Sequence, residues 1–63
     1  MRTEIEEVMV SIEKETKDAW LLMSLDTGDK SWFPKSQVSW KTKTNGSGVA
    51  QIPVWLLENN GWE

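Results

Sequence analysis

The chain reads as a mainly β protein, a small five-stranded SH3-like or OB-like barrel with a short C-terminal helix. Three observations predict it. Apolar residues either alternate with polar ones or run for strand length only. Turn-forming clusters separate these runs, at Asp26-Thr27-Gly28-Asp29 and at Thr44-Asn45-Gly46-Ser47-Gly48. The third is size: 63 residues without a cysteine make one domain, 1–63, whose core must be economical and has no disulfide framework behind it.

From Ile5 to Glu13, Val8, Val10 and Ile12 share one parity while Glu7, Ser11 and Glu13 share the other, the period of a half-buried strand. Met9 breaks the polar face. Glu15, Thr16, Lys17 and Asp18 form a polar connection of hairpin length. Ala19 to Leu25 is an apolar run that predicts a central strand, and Gly28 supplies the positive φ that the following hairpin loop needs. Lys30 to Phe33 is the return strand, ended by Pro34, which donates no ladder hydrogen bond.

A turn over Pro34, Lys35 and Ser36 leads into a strand from Gln37 to Lys43. Alternation puts Val38 and Trp40 on its oily side and Gln37, Ser39, Lys41 and Lys43 on its polar side. After the glycine-rich turn comes a last short strand, Val49 to Ile52. Pro53 then suits the first position of a helix, where its missing N–H has no partner to lose, and Gly61 stops that helix after about two turns. Trp62 is placed to fold back on the last turn, as often happens beyond a glycine cap.

Composition excludes several function classes. The chain has no histidine and no cysteine, which removes the commonest general acid or base near neutral pH, the usual metal ligands and the thiolate nucleophile. Neither a phosphate-binding glycine loop nor a metal or cofactor motif is present. Glu4, Glu6, Glu7, Glu13, Glu15 and Asp18 read as a solvated acidic face rather than a catalytic pair. No apolar run approaches the length of a membrane span and the N-terminus lacks the order of a signal peptide, so a soluble intracellular protein is expected.

Charge is segregated along the chain. Lys30, Lys35, Lys41 and Lys43 lie in a stretch with no acidic residue, interleaved with Trp32, Phe33 and Trp40, whereas the remainder is acidic and the net charge is −3. Five tryptophans are many for so small a core. Trp40 shares the parity of Val38 and is a core candidate, and Trp55 and Trp62 are expected to seal the helix. Trp32 and Phe33 are neighbours on a strand, so at most one of them is fully inside.

Trp32-Phe33-Pro34-Lys35-Ser36-Gln37-Val38, followed by Ile52-Pro53-Val54-Trp55-Leu56-Leu57 and Gly61, resembles small accessory domains of bacteriophages and plasmids. Those carry a Trp-hydrophobic-Pro-Lys-Ser-Gln core and end in a Pro-x-Trp-Leu helix with a glycine stop. The resemblance covers Ala19 to Gly61 and implies a phage-like setting in the cytoplasm of a bacterial host, without a mechanism. Trp32, Pro34, Lys35, Ser36 and Gln37 carry it, either as the signature of a turn or as a ligand site. Trp40, Lys41 and Lys43 depart from it, since acidic or neutral residues follow the motif in such domains.

The expected function is that of a non-enzymatic binding module without cofactor or metal, whose contact residues are Lys30, Trp32, Lys35, Gln37, Lys41 and Lys43. Lysines beside an exposed aromatic suit single-stranded nucleic acid, the ammonium groups meeting phosphates while the ring stacks on a base. With lysine in place of arginine's fork, little sequence preference is expected. The alternative is a protein-interaction module, such as a phage-encoded inhibitor or adaptor that docks on a host or viral enzyme through its aromatic or acidic surface. Exposed strand edges leave room for a homodimer.

Overall fold

The structure, a computed structural model, describes residues 4–62. Five strands form one antiparallel sheet: β1 (Ile5–Glu15), β2 (Ala19–Ser24), β3 (Lys30–Pro34), β4 (Ser39–Thr44) and β5 (Ser47–Pro53). Their order across the sheet is β3-β2-β1-β5-β4. A single 3-10 turn, Lys35–Gln37, joins the two edge strands β3 and β4, and the helix α1 (Val54–Asn59) follows β5. All five strands and the C-terminal helix occur in the expected order, with shifted ends: β4 starts at Ser39 and not at Gln37, β5 runs from Ser47, and Pro53 is the last residue of β5 and the cap of a helix that begins at Val54.

One expectation of order is corrected. The middle of the sheet is β1, not the apolar run of β2, because β1 is long enough to pair with β2 through its second half and with β5 along its first half and centre. Val8, Val10 and Ile12 point inward from it, and Trp20, Leu22 and Phe33 meet them from β2 and β3. Val10, Leu22, Phe33, Ala50 and Ile52 are wholly excluded from solvent. Each of the larger ones contributes about 1.5–3 kcal/mol by that burial, which makes this patch the source of the domain's cohesion.

The sheet is strongly curved. Trp20 of β2 and Trp40 of β4, with two strands between them, touch edge to face at 5.3 Å between ring centroids and 83° between planes. Val38, between the 3-10 turn and β4, is buried, and Trp40 packs on the core from the rim, in line with their shared parity.

Both hairpin turns are built as their residues demand. Gly28 has φ 81° and Gly46 has φ 95°, in the region that side-chain-bearing residues avoid. The β4–β5 turn is tighter than its composition implies, since Thr44 and Ser47 already pair across it.

The helix packs Leu56 and Leu57 inward. At 100° per residue that direction leaves Trp55 pointing away, and it is 45% exposed instead of sealing the helix. Trp62 does the sealing, with its ring 4.9 Å from that of Phe33 and nearly perpendicular to it. It is held there by a glycine cap: with Gly61 at φ 75°, the Gly61 amide donates to the Glu58 carbonyl and the Trp62 amide to that of Leu57. Asn60, on the inward side, ties the helix end to β3 by accepting from the Ser31 hydroxyl while donating to the Leu56 carbonyl.

Candidate functional site

The six sequence-predicted contact residues do not form one surface. Lys30 and Trp32 lie two residues apart on β3 and share its outer face, opposite Met23 and Leu21. Trp32 is 46% exposed while Phe33 is buried, so the two divide as neighbours on a strand must. Lys41 sits on the other edge strand, with three strands between it and Lys30. Gln37 belongs to the 3-10 turn and not to β4, because that turn takes up the residues after Pro34 before the chain is extended again at Val38.

Lys43 is on the opposite face from the one alternation predicts. Trp40 pairs with Ala50, but Thr42 pairs with Val49, so Lys41 is an extra residue in a bulge and the parity of β4 flips beyond it. Lys43 consequently stands opposite Gly48 on the inner side, with its ammonium 5.5 Å from the ring centre of Trp20 and 5.7 Å from that of Trp40. Lys35 reaches the same place from the 3-10 turn, 5.2 Å from the Trp20 centroid. Two cations over one indole bring these two candidates together.

A second bulge, between Ile12 and Lys14, turns Glu15 to face Trp20, and its carboxylate accepts from the Lys35 ammonium at 2.5 Å. That hydrogen bond, and then the charge of Lys35, hold the Glu15 carboxyl below the usual glutamate range. Desolvation opposes the shift, while the charge of Lys43 and the nearby Trp20 indole add to it. The Trp20 N–H stops short of a hydrogen bond: the indole nitrogens of Trp20 and Trp40 are both buried without a partner.

The charge segregation of the sequence largely disappears in three dimensions. Lys30 pairs with Glu13 at 3.8 Å, Lys35 with Glu15, and Lys41 with Glu7 at 3.4 Å. All three glutamates belong to β1, which lies centrally and so reaches the lysines of both edges. Of the four lysines in the basic stretch, Lys43 is the one without a carboxylate partner among the described residues.

A concave surface lies elsewhere, where β1 outruns β2. β1 has 11 residues and β2 has six, so the first half of β1 has a neighbour on the β5 side and a groove on the other. The groove has a volume of about 560 Å³ and is floored by Val8, Leu57 and Trp62. The turn after β2 forms its far wall with Leu25 and Asp26, and Glu6 and Glu7 rim it from β1. Met9 and Leu25, 63% and 51% exposed, flank it. Sequence reading missed this place. Its signals were the exposed apolar Met9 in a polar face and a first strand longer than its hairpin partner.

Among the described residues no three carboxylates, histidines or cysteines gather as a metal site would require, and no helix is long and apolar enough to cross a membrane. No protein-family model matches the chain, and no curated protein or solved structure is significantly similar to it.

Proposed function

We propose that the chain is a non-enzymatic protein-interaction module, built on an SH3-like or OB-like barrel plan, that docks a basic segment of another protein in the groove beside β1. The groove carries this reading. It combines an apolar floor of Val8, Leu57 and Trp62 with an acidic rim of Glu6, Glu7 and Asp26. An apolar cleft with a few polar groups of one sign at its edge is the usual form of a recognition site. Its charge selects cationic partners and steers them in.

The nucleic-acid reading has less behind it. Phosphate capture needs free cations on one face, and Lys30, Lys35 and Lys41 stand beside glutamates while Lys43 lies over indole rings. The barrel plan draws on the Trp20–Trp40 contact and on the short link between the two edge strands, both of which curl the sheet. In the phage-like setting that the resemblance implies, the partner would be a host or viral enzyme in the bacterial cytoplasm.

The test is selection of random peptides displayed on a carrier by the full chain, in parallel with a variant carrying Glu6→Lys and Asp26→Lys. Cationic, aliphatic peptides should be enriched by the native chain and lost with the variant. Enrichment without any cationic bias would overturn the proposal. So would salt-sensitive quenching of tryptophan fluorescence by an oligonucleotide at micromolar concentration.

A further inference from the structure

The backbone of β1 tells what shape of ligand the groove takes. Along β1 the even-numbered residues turn their peptide groups toward β5: the Glu4 carbonyl accepts from Val54 at 2.9 Å, and the Ile12 amide donates to Gly46 at 2.7 Å. The register between them, Glu6 opposite Ile52 through Val10 opposite Gly48, is unbroken. In an antiparallel strand the alternate residues must then point their N–H and C=O groups the other way. Met9 obeys, its carbonyl accepting from the Leu25 amide at 3.0 Å on the β2 side.

Beyond that bond the ladder has no second strand. Ser24 ends β2 and bends the chain away: its hydroxyl accepts from the amides of Asp26 and Thr27, and its carbonyl accepts from Gly28. Ile5 and Glu7 therefore direct two amides and two carbonyls to the open side of β1, where Glu7 lines the groove, with no strand beside them among the described residues. A row of unpaired peptide groups at a sheet edge is a template for another strand.

We infer that the groove binds its partner by strand addition: an extended, basic segment of about five residues lies antiparallel to β1 at Ile5–Glu7, in the position β2 would fill if it continued. This rests on the proposed docking groove and adds the backbone conformation and chemistry of its occupant. Alternate side chains of such a segment point inward, to the floor of Val8, Leu57 and Trp62, and outward, past Ile5 and Glu7. Apolar residues suit the first set, and lysine or arginine, meeting Glu6, Glu7 and Asp26, suits the second and the ends. A second copy of this chain is the wrong occupant. Pairing Ile5–Glu7 antiparallel with itself would set Glu6 directly opposite Glu6 of the second copy, with Cβ atoms about 4.5–5.5 Å apart, in a chain already carrying −3.

The experiment is amide hydrogen exchange by NMR on the full chain, with the peptide acetyl-Val-Lys-Val-Lys-Val-amide as probe at about 1 mM. A second peptide of the same sequence carries N-methyl groups on alternate residues, which keeps the side chains and removes the donors of one edge. Strand addition predicts that exchange at Ile5 and Glu7 slows by about tenfold or more with the first peptide and is unchanged with the second. Binding of both peptides with those amides unprotected would overturn strand addition and leave the docking groove standing. Absence of binding by either would overturn both. Protection of Ile5 and Glu7 that rises with protein concentration, without peptide, would replace the basic partner by a second copy.

Discussion

Replacing Gly48 by alanine is a sharp probe of the packing between β4 and β5, because the sign of its effect separates two accounts. In an ordinary strand, glycine is the weaker residue, and Gly→Ala raises stability by about 0.5–1 kcal/mol through the unfolded chain's lost freedom. At position 48 the new methyl would stand 2.9 Å from the Lys43 Cα and 3.1 Å from the Trp40 Cε3, and closer still to the Thr42 carbonyl oxygen. Carbon atoms pack at about 3.5–4.0 Å, so β4 must retreat by about 0.6 Å or more.

Two of the three obstructing atoms are backbone in a paired strand, which cannot swing aside as a side chain does. The cost therefore belongs in the upper part of the overpacking range, about 2–3 kcal/mol. In a domain of this size that lowers the melting temperature by about 10–20 °C. Urea unfolding followed by circular dichroism reads it as a lower midpoint at unchanged slope, and tryptophan emission shifts as Trp40 moves from Trp20. A variant as stable as the native chain, or more so, would refute the close approach of the two strands and with it the bulge that turns Lys43 inward.

Two further outcomes follow from contacts already described. Glu15 is held below the usual glutamate range, so its pairing with Lys35 stabilises the fold above the unfolded-state value and is lost as pH falls through the folded one. The advantage of the native chain over Lys35→Met should hold above about pH 5 at low salt and shrink toward pH 2, down to the contact of Lys35 with Trp20; a difference that does not change with pH would point away from the ion pair. Trp62→Ala removes the ring packed on Phe33 and should cost about 2 kcal/mol in urea unfolding, whereas Trp55→Ala, on the exposed side of the helix, should stay within about 0.5 kcal/mol. Equal costs would contradict the helix phase.

Local pattern carried much of the fold. The parity of Val8, Val10 and Ile12 and the glycines at 28, 46 and 61 are each decided within a few residues, and the structure keeps them, while Pro53 ends β5 and caps the helix instead of being its first residue. Which strand is central is not local: it depends on β5 returning beside β1. The bulge at Lys41 is likewise set by how β4 meets β5, and one inserted residue reverses every side chain after it. The candidate site suffered more, because charge read along the chain ignores what lies across the sheet. Lys30, Lys35 and Lys41 look like a patch until Glu13, Glu15 and Glu7 are seen opposite them.

The pairing of the first strand with the last sets when this protein can fold. The β1–β5 ladder joins residues from 36 positions apart, at Ser11 and Ser47, to 48 apart, at Ile5 and Pro53. The meander of β1 to β3 and the β4–β5 hairpin are each made of near neighbours, and can form as they are synthesised. A nascent chain nevertheless presents the β5-facing side of β1 bare until β5, which follows the other four strands in the chain, has left the ribosome. Loop closure of that span must precede its reward, which places folding in the slower regime of non-local β topologies. Loss of the residues from Ser47 onward would therefore strip Ala50, Ile52, Leu56 and Leu57 from the core and leave the β1 to β3 meander with its inner face uncovered.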